Sequence, residues 1–192
     1  MKQILVINNY DSFVYNIMQL LRESRHCKAD IVYNDAIPFG KLEQYDGILL
    51  SPGPGIPREA NQLTELIRTC RNTHPLLGIC LGHQAIAESF GGRLLNLPAP
   101  RHGHESRLQL TDSNDILFSG IPQPIKTGRY HSWVVDPSTL SPELCVSSID
   151  EEGHIMSFYH KSLPVHGVQF HPESYITSHG ARMISNWLDS LS

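Results

Sequence analysis

The chain has 192 residues and a formal net charge of −4, with 40% hydrophobic and 18% charged residues. That length and balance predict one soluble globular domain over residues 1–192, large enough for a sizeable core. No Lys/Arg cluster marks a nucleic-acid partner, and no apolar run approaches membrane-spanning length, so neither nucleic acid nor membrane is expected as a partner.

Four cysteines (Cys27, Cys70, Cys80, Cys145) are scattered without any C-x-x-C. Together with an N-terminus that enters a strand at once, they predict a reducing cytoplasm rather than a disulfide frame. In chain order, Ile4–Ile7 reads as a fully buried strand. Asn8-Asn9-Tyr10-Asp11-Ser12 is a polar turn, with Asp11 or Ser12 as cap of a helix carrying Phe13, Ile17, Leu20 and Leu21 at helical spacing. Ala29–Tyr33 and Gly47–Leu50 are the next strands, and Leu63, Leu66, Ile67 and Cys70 form the stripe of a second helix. Another apolar run, Pro75–Ile79, passes directly into the helix formers Ala85, Ile86, Ala87 and Glu88, closed by Gly91-Gly92. This alternation predicts an α/β fold: three layers, an open mostly parallel sheet with helices on both faces. The second half differs. Leu94–Leu97, Ser106–Leu110, Gly128–Val135, Cys145–Ile149, Ile155–Tyr159 and Val165–Phe170 read as short strands between turns, an antiparallel extension of that sheet. A last helix, capped near Thr177 or Ser178, carries Ile184, Trp187, Leu188 and Leu191 on one face.

Chemistry concentrates at the strand-to-helix join Gly78-Ile79-Cys80-Leu81-Gly82. A cysteine flanked at minus two and plus two by glycines is the context of a nucleophile elbow, with Cys in place of Ser. The turn strains the nucleophile's backbone, side chains two residues away would collide, and the helix N-terminus favours negative charge. The Leu81 N–H would point at the oxygen of a tetrahedral intermediate. A lone cysteine is more often a small buried hydrophobe, but the paired glycines favour the nucleophile. Ser51-Pro52-Gly53-Pro54-Gly55 leaves the carboxyl end of a strand, where open α/β sheets place their sites. It is either a stiff turn or the source of a second oxyanion donor, with Gly53 as candidate. No Gly-Lys-Ser/Thr follows, so it is not a phosphate loop. In Phe170-His171-Pro172-Glu173, an extended chain would project His171 and Glu173 the same way, as the base and orienter of a triad. A surface His–Glu pair is the plainer alternative. His102-Gly103-His104 offers two histidines without a placed third ligand, so no metal is expected. Tyr130-His131-Ser132 either lines a pocket through its backbone or is an ordinary strand.

Three blocks in one order, Leu50–Gly55, Gly78–Gln84 and Phe170–Glu173, resemble the class I (triad) glutamine amidotransferases, a flavodoxin-like fold. Asn9–Phe13, His102-Gly103 and Tyr130-His131-Ser132 are similar to one branch, the small subunits of anthranilate and aminodeoxychorismate synthases. The resemblance implies a glutaminase in which Cys80 attacks the glutamine side-chain amide, His171 relays the proton and Glu173 orients His171. It implies oxyanion and substrate contacts from Gly53, Gly55, Leu81, Gln84, Tyr130, His131 and Ser132. It further implies ammonia transfer to a larger chorismate-aminating subunit. No cofactor is expected in this chain, and Mg is expected in the partner. Where the branch usually has Lys after His-Gly, this chain has His104. Two alternatives stand beside this reading: a stand-alone γ-glutamyl thiol hydrolase, and a non-catalytic binding module on the same fold.

Overall fold

In a computed structural model that describes residues 1–191, the first strand, β1 (Lys2–Asn8), lies between β2 (Cys27–Tyr33) and β3 (Gly47–Leu50). Next to β3 come β4 (Leu76–Ile79) and β9 (Val165–Val168), all parallel, in the order β2-β1-β3-β4-β9. This is the 2-1-3-4-5 order of flavodoxin-like sheets, which carry ligands outside the carboxyl ends of their strands. Beyond β9 the sheet continues antiparallel through β8 (Ile155–His160), β7 (Leu144–Ile149), β5 (Leu94–Leu110) and β6 (Ile125–Val135).

Alternation along each parallel strand divides the core between two faces. Ile4, Val6, Leu49, Leu77 and Ile79 point to one side, against Val14, Ile17 and Leu21 of α1 (Val14–Ser24) and Met183, Ile184 and Trp187 of α4 (Gly180–Ser190). Leu5, Ile7, Ile48, Leu50 and Leu76 point to the other, against α2 (Leu63–Cys70) and α3 (Leu81–Ser89). Because both faces are covered, these strands read as unbroken apolar runs rather than alternating ones.

Four local expectations are corrected. Leu94–Leu97 and Ser106–Leu110 belong to one strand, β5, whose prolines 98 and 100 fall in a register shift between Asn96 and Arg101, where no ladder N–H is required. The strand expected over Val165–Phe170 ends at Val168. Asp11 does not cap α1 directly: its Oδ1 accepts from the Phe13 N–H at 2.7 Å, one residue ahead of the helix. Neither Thr177 nor Ser178 caps α4, which follows His179 in the left-handed region at φ 61°. Their hydroxyls instead accept the N–H groups of Gly128 and Lys126, both at 3.0 Å, and so fasten the loop that carries His171 and Glu173 to β6.

Candidate active site

The carboxyl ends of β3, β4 and β9 converge on Cys80, the residue between β4 and α3. Its backbone is at φ 52°, ψ −101°, the strained geometry expected of an elbow. The flanking glycines have identifiable partners. A Cβ on Gly78 would come within 2.5 Å of the Gly82 carbonyl, and one on Gly82 within 2.5 Å of the Leu50 carbonyl. The start of α3 is thus pressed against both β4 and β3, and backbone on the facing side cannot yield.

His171 and Glu173 meet, with Nδ1 and Oε1 2.7 Å apart, and both are buried. The expected reason is corrected, since the segment is a turn rather than an extended strand. The Ser174 N–H and the Thr177 hydroxyl both return to the His171 carbonyl. Glu173 at Nδ1 fixes a proton there and leaves Nε2 toward Cys80, without a formed hydrogen bond among the described residues. The rings of Phe13 and Tyr130 stand edge-on to the imidazole, 5.0 and 4.9 Å between centroids. Burial alone would lower the His171 pKa, but Cys80 and Glu173 together outweigh it and push it up to about 10. The imidazole is therefore held as imidazolium at neutral pH beside the sulfur.

A cavity of about 330 Å³ opens over Cys80. Gly53, Gly55, Gln84, Tyr130, His131 and Ser132 line it, as do Pro54, His102 and Trp133, which sequence reasoning did not assign to the catalytic site. Leu81 is absent from the wall. As first residue of α3 its N–H has no intrahelical partner. The Gly53 N–H likewise donates to nothing among the described residues. A Cβ at Gly53 would lie 2.6 Å from both Asn9 Cβ and Leu81 Cδ2, so only glycine lets this loop rest against the helix start. Gly55, at φ 71°, completes the turn. A chain of amides holds the loop: Asn61 Nδ2 donates to Asn34 Oδ1 (2.8 Å), Asn34 Nδ2 to Asn9 Oδ1 (2.9 Å), and Asn9 Nδ2 to the Ser51 carbonyl (2.8 Å).

The opposite wall is anchored from β6. Arg129, fully buried, pairs with the equally buried Asp150 and donates from Nε to His131 Nε2 at 3.0 Å. His131 therefore carries its proton on Nδ1, directed at the Trp133 carbonyl 3.0 Å away. Burial, then the Arg129 charge, lowers the His131 pKa to about 3, so this ring is neutral. His104 is exposed, paired in register with Arg129 just past a bulge that follows His102, and takes no part in the cavity wall. Among the described residues no three His, Cys, Asp or Glu side chains gather as a metal site, and no helix is long and apolar enough to cross a membrane.

A cysteine sulfur beside an imidazolium, with free N–H groups nearby and a small cavity of mixed polar and apolar lining, is equipped for acyl transfer from a compact amide or ester. Comparison with known proteins narrows the family. The model for "Glutamine amidotransferase class-I" matches residues 5–191. Aminodeoxychorismate/anthranilate synthase component 2 of Bacillus subtilis is 39% identical over 189 residues, 97% of this chain and 96% of that protein. The bifunctional protein TrpGD of Thermotoga maritima is 40% identical over 98% of this chain, which spans only 32% of that longer protein. A solved structure from Thermoplasma acidophilum, described as a candidate component of GMP synthase, has a TM-score of 0.87 at 28% identity, covering 98% of this chain and 93% of that one. With a family match spanning nearly its whole length around a cysteine elbow, this chain belongs to the class-I glutamine amidotransferases.

Proposed function

We propose that this chain is the glutaminase subunit of a chorismate-aminating synthase, with Cys80 as nucleophile, His171 as proton carrier and Glu173 as its orienter. The observation that carries the reading is the strained Cys80 beneath the cavity, with His171 and Glu173 paired beside it. The Cys80 thiolate attacks the side-chain carbonyl carbon of glutamine, and the developing oxyanion is received by the Gly53 and Leu81 N–H groups. His171 gives its proton to the leaving nitrogen, ammonia departs, and a γ-glutamyl thioester remains. Water then attacks the thioester, His171 takes the water's proton, and the C–S bond breaks, its electrons returning to sulfur, to release glutamate. Gln84 and the backbone of Tyr130, His131 and Ser132 hold the amino-acid end of the substrate.

The chorismate assignment rests on the relatives' names, among them the component 2 of Bacillus subtilis. In this reading the ammonia passes to a larger, Mg-using subunit that forms anthranilate or 4-amino-4-deoxychorismate, in the cytoplasm, and this chain itself needs no cofactor. The loops at the cavity mouth, which include Gly53, Pro54, Gly55 and His102, face that partner. The test is Cys80→Ala in the assembled complex. Chorismate amination should vanish with glutamine and persist with an ammonium salt. Retention of glutamine-dependent amination would remove Cys80 from this role.

A further inference from the structure

Beside Cys80, at the end of β9, which flanks β4 across from β3, lies a fully buried side chain that the mechanism above does not use. Gln169 sits between the end of β9 and His171 with no exposed surface. Its Nε2 lies 3.6 Å from Cys80 Sγ, and its Oε1 accepts from Gln84 Nε2 at 3.0 Å. Gln84 Nε2 also donates to the Trp133 carbonyl at 2.9 Å.

The direction of this chain is dictated by chemistry at its far end. A backbone carbonyl only accepts, so Trp133 O requires Gln84 to turn its NH2 toward it. That same NH2 reaches Gln169, so the Gln169 atom it meets must be the oxygen. The Gln169 nitrogen then has no choice but to face the sulfur. Trp133 O is itself held by His131 Nδ1–H, whose tautomer is fixed by Arg129, which is in turn fixed by Asp150. A connected run of hydrogen bonds, in which the Trp133 carbonyl accepts from both sides, therefore links the Asp150 carboxylate to Cys80, and its last member is a donor to the sulfur.

We infer that Gln169 is a further catalytic residue, supplying a hydrogen bond from its amide to the Cys80 sulfur whenever that sulfur carries charge. A neutral thioester sulfur is a weak acceptor, whereas a thiolate is a strong one, so the bond favours two moments: the thiolate as it attacks, and the thiolate leaving as the thioester is hydrolysed. In the second, the electrons of the C–S bond return to sulfur while His171 holds the proton taken from water, and the Gln169 amide stabilises the departing charge. The inference rests on Cys80 being the nucleophile.

The test is the pH profile of Cys80 alkylation by iodoacetamide in the full chain, read peptide by peptide, with the half-buried Cys145 as internal reference. Gln169→Met keeps the shape and removes the donor. Its Cys80 midpoint should rise by about one pH unit, with glutaminase kcat down roughly 10- to 100-fold, in proportion to one hydrogen bond to a charged group. The Cys145 profile should stay in place. If Gln169→Met does not fold, Gln169→Glu retains the acceptor for Gln84 and puts a carboxylate oxygen against the sulfur, raising the midpoint further. An unmoved Cys80 midpoint in a folded variant, with or without loss of activity, would overturn the inference and leave Gln169 a packing residue. Alkylation needs neither glutamine nor partner, so this result stands apart from the fate of Cys80→Ala.

Discussion

At the scale of single residues, the site separates two buried imidazoles that start from the same ordinary pKa. His131 faces an arginine and is held neutral, near 3; His171 faces a carboxylate and a sulfur and is held charged, near 10. The neighbours decide, because burial disfavours charge in both. This makes Glu173→Gln informative. The substitution keeps the contact to Nδ1 but removes one of the two charges that raise the His171 pKa. The imidazolium should then be lost at lower pH, and the alkaline limb of kcat/KM for glutamine hydrolysis should move down toward neutrality. An alkaline limb that stays in place would show that Glu173 orients the ring without supporting its charge. The strained turn at Cys80 and the pairing of His171 with Glu173 were legible in the sequence because a rigid local motif carries each of them. The contacts of Gln169, Arg129 and Asp150 were not, because they arise from pairings across β9, β6 and the β7–β8 turn, which no spacing in the chain announces.

At the scale of elements, the elbow is a packing solution before it is a catalytic one. The start of α3 is close enough to β3 that a methyl group at Gly82 would sit 2.5 Å from the Leu50 carbonyl oxygen, in a strand with no exposed surface. Gly82→Ala must push α3 outward and carry Cys80 and the Leu81 N–H with it. Overpacking of this kind costs about 1–3 kcal/mol. A lowered urea midpoint with most glutaminase activity gone is the expected result, and wild-type activity at wild-type stability would mean that the helix start is not fixed by this contact. The same elements show where sequence reading stops. The parallel strands and their helices were legible because two-sided burial leaves continuous apolar runs and clear helical stripes. The long β5 was divided at its prolines, since a register shift that tolerates them is a property of its pairing with β6 and not of its own residues. Thr177 and Ser178 looked like helix caps because their hydroxyls suit that role, but β6 lies within reach and takes them.

At the scale of the whole molecule, burying histidines of opposite tendency in one fold shapes its stability against pH. His83, packed on Phe158 with its ring centroid 4.4 Å away, is fully buried, and burial lowers its pKa to about 3, as for His131. Below the unfolded value of 6.5, the unfolded chain protonates these two rings while the folded chain does not. Stability therefore falls as pH drops toward 3, by about 1.4 kcal/mol per pH unit for each ring. His171 acts in the opposite sense. Above 6.5 the unfolded chain has released this proton while the folded chain keeps it up to about 10, so its contribution is complete below 6.5 and is lost across that window as pH rises. Cys70, whose thiol burial pushes up to about 12, adds to the decline once the unfolded thiol titrates near 9. The expected outcome is a stability maximum near pH 6.5, measured as the urea midpoint at constant m-value from pH 4 to 9.5. His171→Gln should flatten the alkaline side and leave the acid side in place, because His83 and His131 are untouched. A wild-type midpoint that climbs steadily from pH 6.5 to 9 would contradict the charged state of His171, on which both the expected alkaline limb and the proposed proton delivery to ammonia depend.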